Sequence, residues 1–159
     1  MHIALDSFDC NILKLIQQDS SRSSSEIADL VGLSQAPCWR RLQRLKEEGY
    51  ILRQVALLDR RKVGLNTQIF AQVKLSATGR SNLEDFTQAI REFPEVLDCF
   101  VLLGTVDFML RIVARDIDAY ERFFFEKLSR LPGVQEISSM VALSEIKSTT
   151  ELPIGIENS

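Results

Sequence analysis

The chain has 159 residues, 45% of them hydrophobic and 26% charged, with a formal net charge of −3. Such a composition belongs to a soluble globular protein of one domain or two small ones. No apolar run approaches the roughly 18–20 residues a membrane span needs, and the N-terminus MHIALDSFD has no basic region ahead of an apolar core, so a cytoplasmic protein without membrane partner is expected.

Asp6, with Asp9 three residues on, opens a first helix whose apolar positions Phe8, Ile12, Leu13, Leu15 and Ile16 make an inward face. Ser23 with Glu26 has the spacing of a capping box and starts a second helix. Gly32 can supply the left-handed residue that ends it, and Ser34 is a good cap for a third. Gly49 stops that third helix. Ile27, Leu30, Val31, Leu33, Leu42 and Leu45 recur at helical spacing and give the last two helices a shared apolar face. Two short helices joined by a Gly-containing turn form a helix-turn-helix, which lays its second helix in a DNA major groove.

Charge supports the same partner once it is divided by region. Residues 34–62 hold eight basic side chains (Arg40, Arg41, Arg44, Lys46, Arg53, Arg60, Arg61, Lys62) and three acids (Glu47, Glu48, Asp59), a net of +5, whereas the rest of the chain carries −8. A net positive balance is thus confined to the third helix and its connector, and DNA binding should depend strongly on salt. A basic amphipathic helix can also be an ordinary solvated surface; the shared apolar face and the absence of acids from Ser34 to Lys46 argue against that.

Tyr50–Leu58 (YILRQVALL) is rich in β-formers and reads as an extended connector or strand, and Asp59–Lys62 followed by VGLN reads as a domain boundary. Thr67–Leu75 alternates apolar and polar residues and predicts a strand. Ser76–Ser81 reads as a turn, and Asn82–Phe93 as a helix stopped by Pro94. Val96–Leu103 and Phe108–Ala114 predict a hairpin about the turn Gly104–Asp107. Asp116 or Asp118 caps a helix to about Leu131, ended by Pro132-Gly133, and Val134–Lys147 predicts a last strand. The order βαββαβ is ferredoxin-like, an antiparallel sheet with two helices on one face. The fold class is therefore α+β, with an N-terminal three-helix helix-turn-helix domain and a C-terminal βαββαβ ferredoxin-like domain. The expected division is 1–52 for DNA binding, 53–66 as connector, 67–152 for the second domain and 153–159 as tail. Two helices leave one sheet face open, exposing residues such as Phe70, Gln72, Cys99, Val101 and Met109 or their in-register neighbours. Homodimerisation through that face would pair two DNA-reading helices about 34 Å apart, one turn of DNA.

Taken in order, LDSFDCNIL, EIADLVGLSQAPCWRRLQRLKEEGYI, the turn GTVDFML and RLPGVQEISSMVALSEIKSTTELPI resemble the leucine-responsive/asparagine-type (Lrp/AsnC, feast/famine) transcriptional regulators over nearly the whole chain. The most specific pieces are Gly32–Arg41, the G-x-x-D core of the turn, and Leu131–Val134. The resemblance implies a DNA-binding regulator that dimerises through its second domain, associates further into octamers, and binds an amino acid where neighbouring second domains meet. It places Ser34, Gln35, Ala36, Cys38, Trp39, Arg40, Arg41 and Arg44 in the recognition helix. Among these, Gln35, Arg40 and Arg44 are expected nearest DNA, reading bases or binding phosphate. Trp39 either packs on the connector or meets DNA, and Cys38 reads as a small core residue beside Leu42.

The resemblance also assigns an effector site to Leu103, Gly104, Thr105, Val106, Asp107, Ser139 and Met140. Gly104 would allow close approach and positive φ; the amides of Thr105, Val106 and Asp107 would hold a carboxylate, and the Asp107 carboxylate an ammonium group. Equally, Asp107 could serve only to satisfy the hairpin turn. A pocket lined by Leu103, Val106, Phe108 and Met140 would favour an apolar side chain such as leucine or methionine. No cofactor or metal is expected: Cys10, Cys38 and Cys99 read as reduced, buried thiols, and the carboxylates show no recurrent ligand spacing. Siroheme decarboxylases share the two-domain architecture, but a single histidine, His2, leaves no His-based catalytic pair. An effector-independent DNA-architectural protein is the other alternative.

Overall fold

In a computed structural model, residues 5–81 and 83–155 are described; His2 and Asn82 lie outside them. Residues up to Leu57 together with those from Lys147 onward form one compact unit, and Leu58–Ile146 form another.

The first unit contains α1 (Ser7–Gln18), α2 (Ser24–Val31) and α3 (Gln35–Glu47). The capping box predicted at Ser23 and Glu26 is present, and Asp6 with Asp9, read as the start of the first helix, forms a second one. Each satisfies orphan N–H groups at both the cap and the third helical position. Gly32 ends α2 at φ +74°, a conformation that disfavours any side chain. Ser34 occupies the cap position of α3, but its side chain makes no capping bond. Ile12, Leu13, Ile27, Ala28, Cys38, Leu42 and Leu45 form the core where the three helices meet. Cys10 and Cys38 are buried thiols as expected, whereas Cys99 is exposed on a sheet edge.

Residues 52–58 form no strand and no other regular element, and Leu52, Val55, Leu57 and Leu58 are exposed. At the chain's far end the Gln17 side chain clasps the Leu152 backbone, its Nε2 donating to the Leu152 carbonyl at 3.2 Å and its Oε1 accepting the Leu152 N–H at 2.6 Å. Ile154 packs against the helical core beside it.

The second unit comprises β1 (Thr67–Leu75), α4 (Ala77–Ser81), α5 (Leu83–Arg91), β2 (Val96–Val101), β3 (Phe108–Ala114), α6 (Ile117–Glu126), a 3₁₀ turn at Leu128–Arg130, and β4 (Val134–Val141). All strand pairs are antiparallel, in the order β2-β3-β1-β4. That is the ferredoxin-like arrangement. Ile69, Ala71, Val73 and Leu75 of β1 and Phe108, Leu110 and Ile112 of β3 are buried on the helix side, with Phe86 and Phe108 ring centroids 4.5 Å apart.

Three sequence expectations change. Ser76–Ser81 is a single helical turn: the Ser76 hydroxyl accepts the Gly79 N–H, and a Cβ on Gly79 would lie 2.4 Å from the Gly133 carbonyl oxygen. The helix expected to run to Leu131 ends at Glu126 and continues as the 3₁₀ turn. The last strand ends at Val141 instead of Lys147, because β1 begins at Thr67 and has no backbone left to pair with after Gln68 accepts the Ala142 N–H.

Register decides the open face. Phe70, Gln72 and Met109 lie on it as expected. A register shift between Val96 and Asp98 turns Cys99 and Val101 toward the side of Leu110 and Phe108, so their neighbours Asp98 and Phe100 take the open face.

Candidate nucleic-acid interface and effector turn

The two long sides of α3 have different surroundings. Ser34, Gln35, Ala36, Trp39 and Arg40 are exposed, while Cys38, Leu42 and Leu45 are buried. Gln35, Ala36, Trp39 and Arg40 follow the three- and four-residue spacing of one helix face. Trp39 is 53% exposed, so it does not pack internally, and Cys38 is fully buried beside Leu42. Arg40 has no ion-pair partner among the described residues.

Arg41 and Arg44 point instead toward the start of α1. The Arg41 guanidinium donates to Asp6 Oδ2 at 2.7 Å and Asp9 Oδ1 at 2.8 Å; that of Arg44 donates to Asp9 Oδ2 at 2.5 Å. Asp9 is 1% exposed, and Arg41 lies 5.5 Å over the Phe8 ring. The backbone N–H of Asp9, and after it the Arg41 guanidinium, hold the Asp6 carboxyl below the usual carboxylate range; Asp9 and Asp6 in turn hold the Arg41 proton more tightly. The sequence shows Asp6 and Asp9 as a cap and gives no sign that the same carboxylates bind α3.

In the second unit, the hairpin closes where the Leu102 N–H donates to the Asp107 carbonyl at 2.9 Å, leaving Leu103–Val106 as the loop. Leu103 is wholly exposed. The Asp107 carboxylate accepts the Leu75 N–H at 2.7 Å and the Arg80 Nε–H at 3.0 Å. Those two donors, the N–H first, hold its carboxyl below the usual range. In this chain Asp107 joins the hairpin to the end of β1 and to α4, a use closer to turn satisfaction than to a free acceptor for an ammonium group. Nothing in the sequence pairs Arg80 with it, since 27 residues separate them.

Gly104 is not among the positive-φ glycines, and a Cβ there would meet nothing within 4 Å. The expected left-handed conformation is therefore absent, and the space beside the turn is open. Ser139 and Met140 face opposite sides of the sheet, since Ser139 pairs with buried Ala71 and Met140 with Phe70. The Ser139 hydroxyl lies 2.5 Å from that of Tyr120, whose pKa burial pushes up. Phe108 is buried beneath Phe86. One chain thus does not gather Leu103, Val106, Phe108 and Met140 into a single pocket.

A winged helix-turn-helix DNA-binding model matches residues 5–51, and an Lrp/AsnC ligand binding domain model matches residues 68–152. The chain belongs to the Lrp/AsnC family. It is 41% identical over 145 residues to a proline dehydrogenase transcriptional activator of Rhizobium radiobacter, covering 91% of this chain and 93% of that protein. It is 33% identical over 150 residues to the leucine-responsive regulatory protein of Klebsiella pneumoniae, covering 94% and 92%. Among solved structures, a transcriptional regulator from Neisseria meningitidis in complex with L-methionine superposes with a TM-score of 0.90 at 37% identity, covering 94% of this chain and 97% of that one. This Lrp/AsnC protein is a DNA-binding transcriptional regulator with a ligand-binding domain, and not an enzyme. Among its described residues no helix is long and apolar enough to cross a membrane, and no cluster of side chains has the makings of a metal site.

Proposed function

We propose that this regulator reads specific duplex DNA in the cytoplasm through the exposed face of α3, and that a free amino acid with an apolar side chain tunes that binding. The observation that carries the reading is the face itself: Gln35, Ala36, Trp39 and Arg40 are exposed together at the N-terminal half of the helix, the part that enters the major groove. Gln35 can pair with adenine and Arg40 with guanine in bidentate fashion, Ala36 and Trp39 offer apolar contact, and Ser34 can meet a phosphate at the helix start. The guanidinium groups of Arg41 and Arg44 stay with Asp9, which leaves Arg40 as the exposed base of this face.

The effector reading rests on the turn Leu103–Asp107. Its open space at Gly104 and exposed loop suit a ligand whose carboxylate is held by backbone N–H groups. With Asp107 committed to Arg80 and Leu75, the ammonium group needs an acceptor from elsewhere, which favours a site completed by a second copy of the chain. Leu103 and Val106, and the L-methionine bound by the neisserial relative, favour leucine or methionine over charged or amide side chains. Phe70, Phe100, Met109 and Met140 on the open sheet face supply an apolar surface for a homodimer, with octamers built from such dimers.

The test has two parts. The purified protein should recover a consensus duplex from a randomised library, and its melting temperature should rise with leucine or methionine, because a ligand bound only to the native state stabilises it. A rise only with charged or amide amino acids overturns the apolar assignment. No rise with any of the twenty, alongside a recovered consensus, makes the protein an effector-independent architectural one.

A further inference from the structure

We infer that Asp9 is a positioning residue for DNA reading, a buried carboxylate that fixes the rotation of α3 by holding Arg41 and Arg44 away from DNA. The inference deepens the assignment of α3 as the reading helix and rests on it.

The geometry is that of a clamp. Each Asp9 oxygen takes one guanidinium, Oδ1 from Arg41 at 2.8 Å and Oδ2 from Arg44 at 2.5 Å. Oδ2 also accepts the Asp6 N–H at 3.2 Å, completing the α1 capping box. The carboxylate is therefore tied to the first turn of α1 by its own backbone and cannot follow its partners if α3 turns. Arg41 is held a second time by Asp6 at 2.7 Å and lies over Phe8. Arg44 Nε is buried with no acceptor, while the side chain as a whole keeps 30% of its surface exposed.

The two grips lie about 4.5 Å apart along the axis of α3, three residues at about 1.5 Å each. Two grips at different heights resist both sliding and rolling of a helix, where one would permit rolling. The apolar contacts of Cys38, Leu42 and Leu45 are less directional, since hydrophobic burial depends on area more than on angle. Rolling α3 would shift Gln35 and Arg40 across the groove, and bidentate readout tolerates little misalignment. The pairing also consumes charge: two of the four basic residues of α3 are committed internally, so that non-specific phosphate attraction is held down relative to base reading.

Asp9→Asn tests this, because it keeps size and one acceptor but removes the charge that holds two guanidinium groups. The probes are the consensus duplex recovered by the wild type and a shuffled duplex of the same composition, titrated over a range of salt. Affinity for the consensus should fall at least tenfold while affinity for the shuffled duplex holds or rises. Parallel losses on both duplexes, or no loss on either, overturn the inference. Arg44→Gln gives an independent answer and decides the matter if Asp9→Asn fails to fold by circular dichroism, since Asp9 keeps Arg41. Its slope of log affinity against log salt should equal the wild-type slope, with consensus preference reduced. A slope smaller by about one unit identifies Arg44 as a phosphate ligand and overturns the inference. A wild type that recovers no consensus sinks the reading-helix assignment itself, a distinguishable failure.

Discussion

Helix α3 and the turn Leu103–Asp107 each commit their most conspicuous charges internally, yet they are left in different states. On α3, Arg41 and Arg44 are bound to Asp9, but the neighbouring face still offers Gln35, Trp39 and Arg40 to a partner. In the turn, Asp107 is bound to Arg80 and Leu75, and what remains is backbone, the Thr105 hydroxyl and apolar side chains, with no further charge. A helix carries several faces at once, so one can be spent on packing while another reads. A four-residue loop has no such second face. On the proposed assignments, a chain with this arrangement presents a DNA-reading surface alone, whereas an effector site at the turn would draw groups from a second copy.

The largest effect should come from emptying the exposed face of α3, which attacks the first half of that contrast directly. Gln35→Ala combined with Arg40→Ala should lower affinity for the consensus duplex by roughly thirtyfold or more, since each bidentate base contact contributes about 1–3 kcal/mol of discrimination. The melting temperature should stay within a degree or two, because both side chains are exposed. A large fall in melting temperature with affinity unchanged would exchange the roles of the two sides of the helix.

A smaller effect is expected at the turn. Asp107→Asn removes a carboxylate whose folded pKa lies below its ordinary value of about 4. A depressed carboxyl stabilises the fold above its unfolded pKa, and that contribution is lost as pH falls through the folded pKa. The wild type should therefore melt higher than Asp107→Asn at pH 7, and the two curves should converge below pH about 4. Curves that stay parallel down to acid would mean that the carboxylate has no internal role and is available to an effector.

The same contrast separates what can be read along the chain from what cannot. β1 and β3 are readable to the residue, because alternation over Thr67–Leu75 and Phe108–Ala114 is a local signal and both strands are central. The end of β4 is not, since Val134–Lys147 continues to look like a strand after its partner has run out. The helix at Ala77–Ser81 is hidden for a related reason: Gly79 reads as a turn residue, but it is needed for backbone contact with Gly133, 54 positions away in the numbering. At the candidate sites the face of α3 follows from helical spacing. The Asp9–Arg44 and Asp107–Arg80 pairs do not, because they join residues 35 and 27 positions apart whose types suit many other roles.

The least effect is expected where sequence and structure part over a single hydrogen bond. Ser23 and Ser34 are both good N-cap residues, but only the Ser23 hydroxyl accepts a bond from its helix, the Glu26 N–H at 3.2 Å, while the Ser23 N–H donates to the Glu26 carboxylate at 2.7 Å. Ser34 makes no side-chain capping bond. Ser23→Ala should then cost about 1 kcal/mol, and Ser34→Ala a few tenths at most, read as a fall of several degrees against almost none in thermal melts. If Ser34 is free for DNA, its replacement should weaken consensus binding while leaving the melt untouched. Equal losses of stability from both substitutions would show that Ser34 caps α3 in solution, and would remove its hydroxyl from the reading surface.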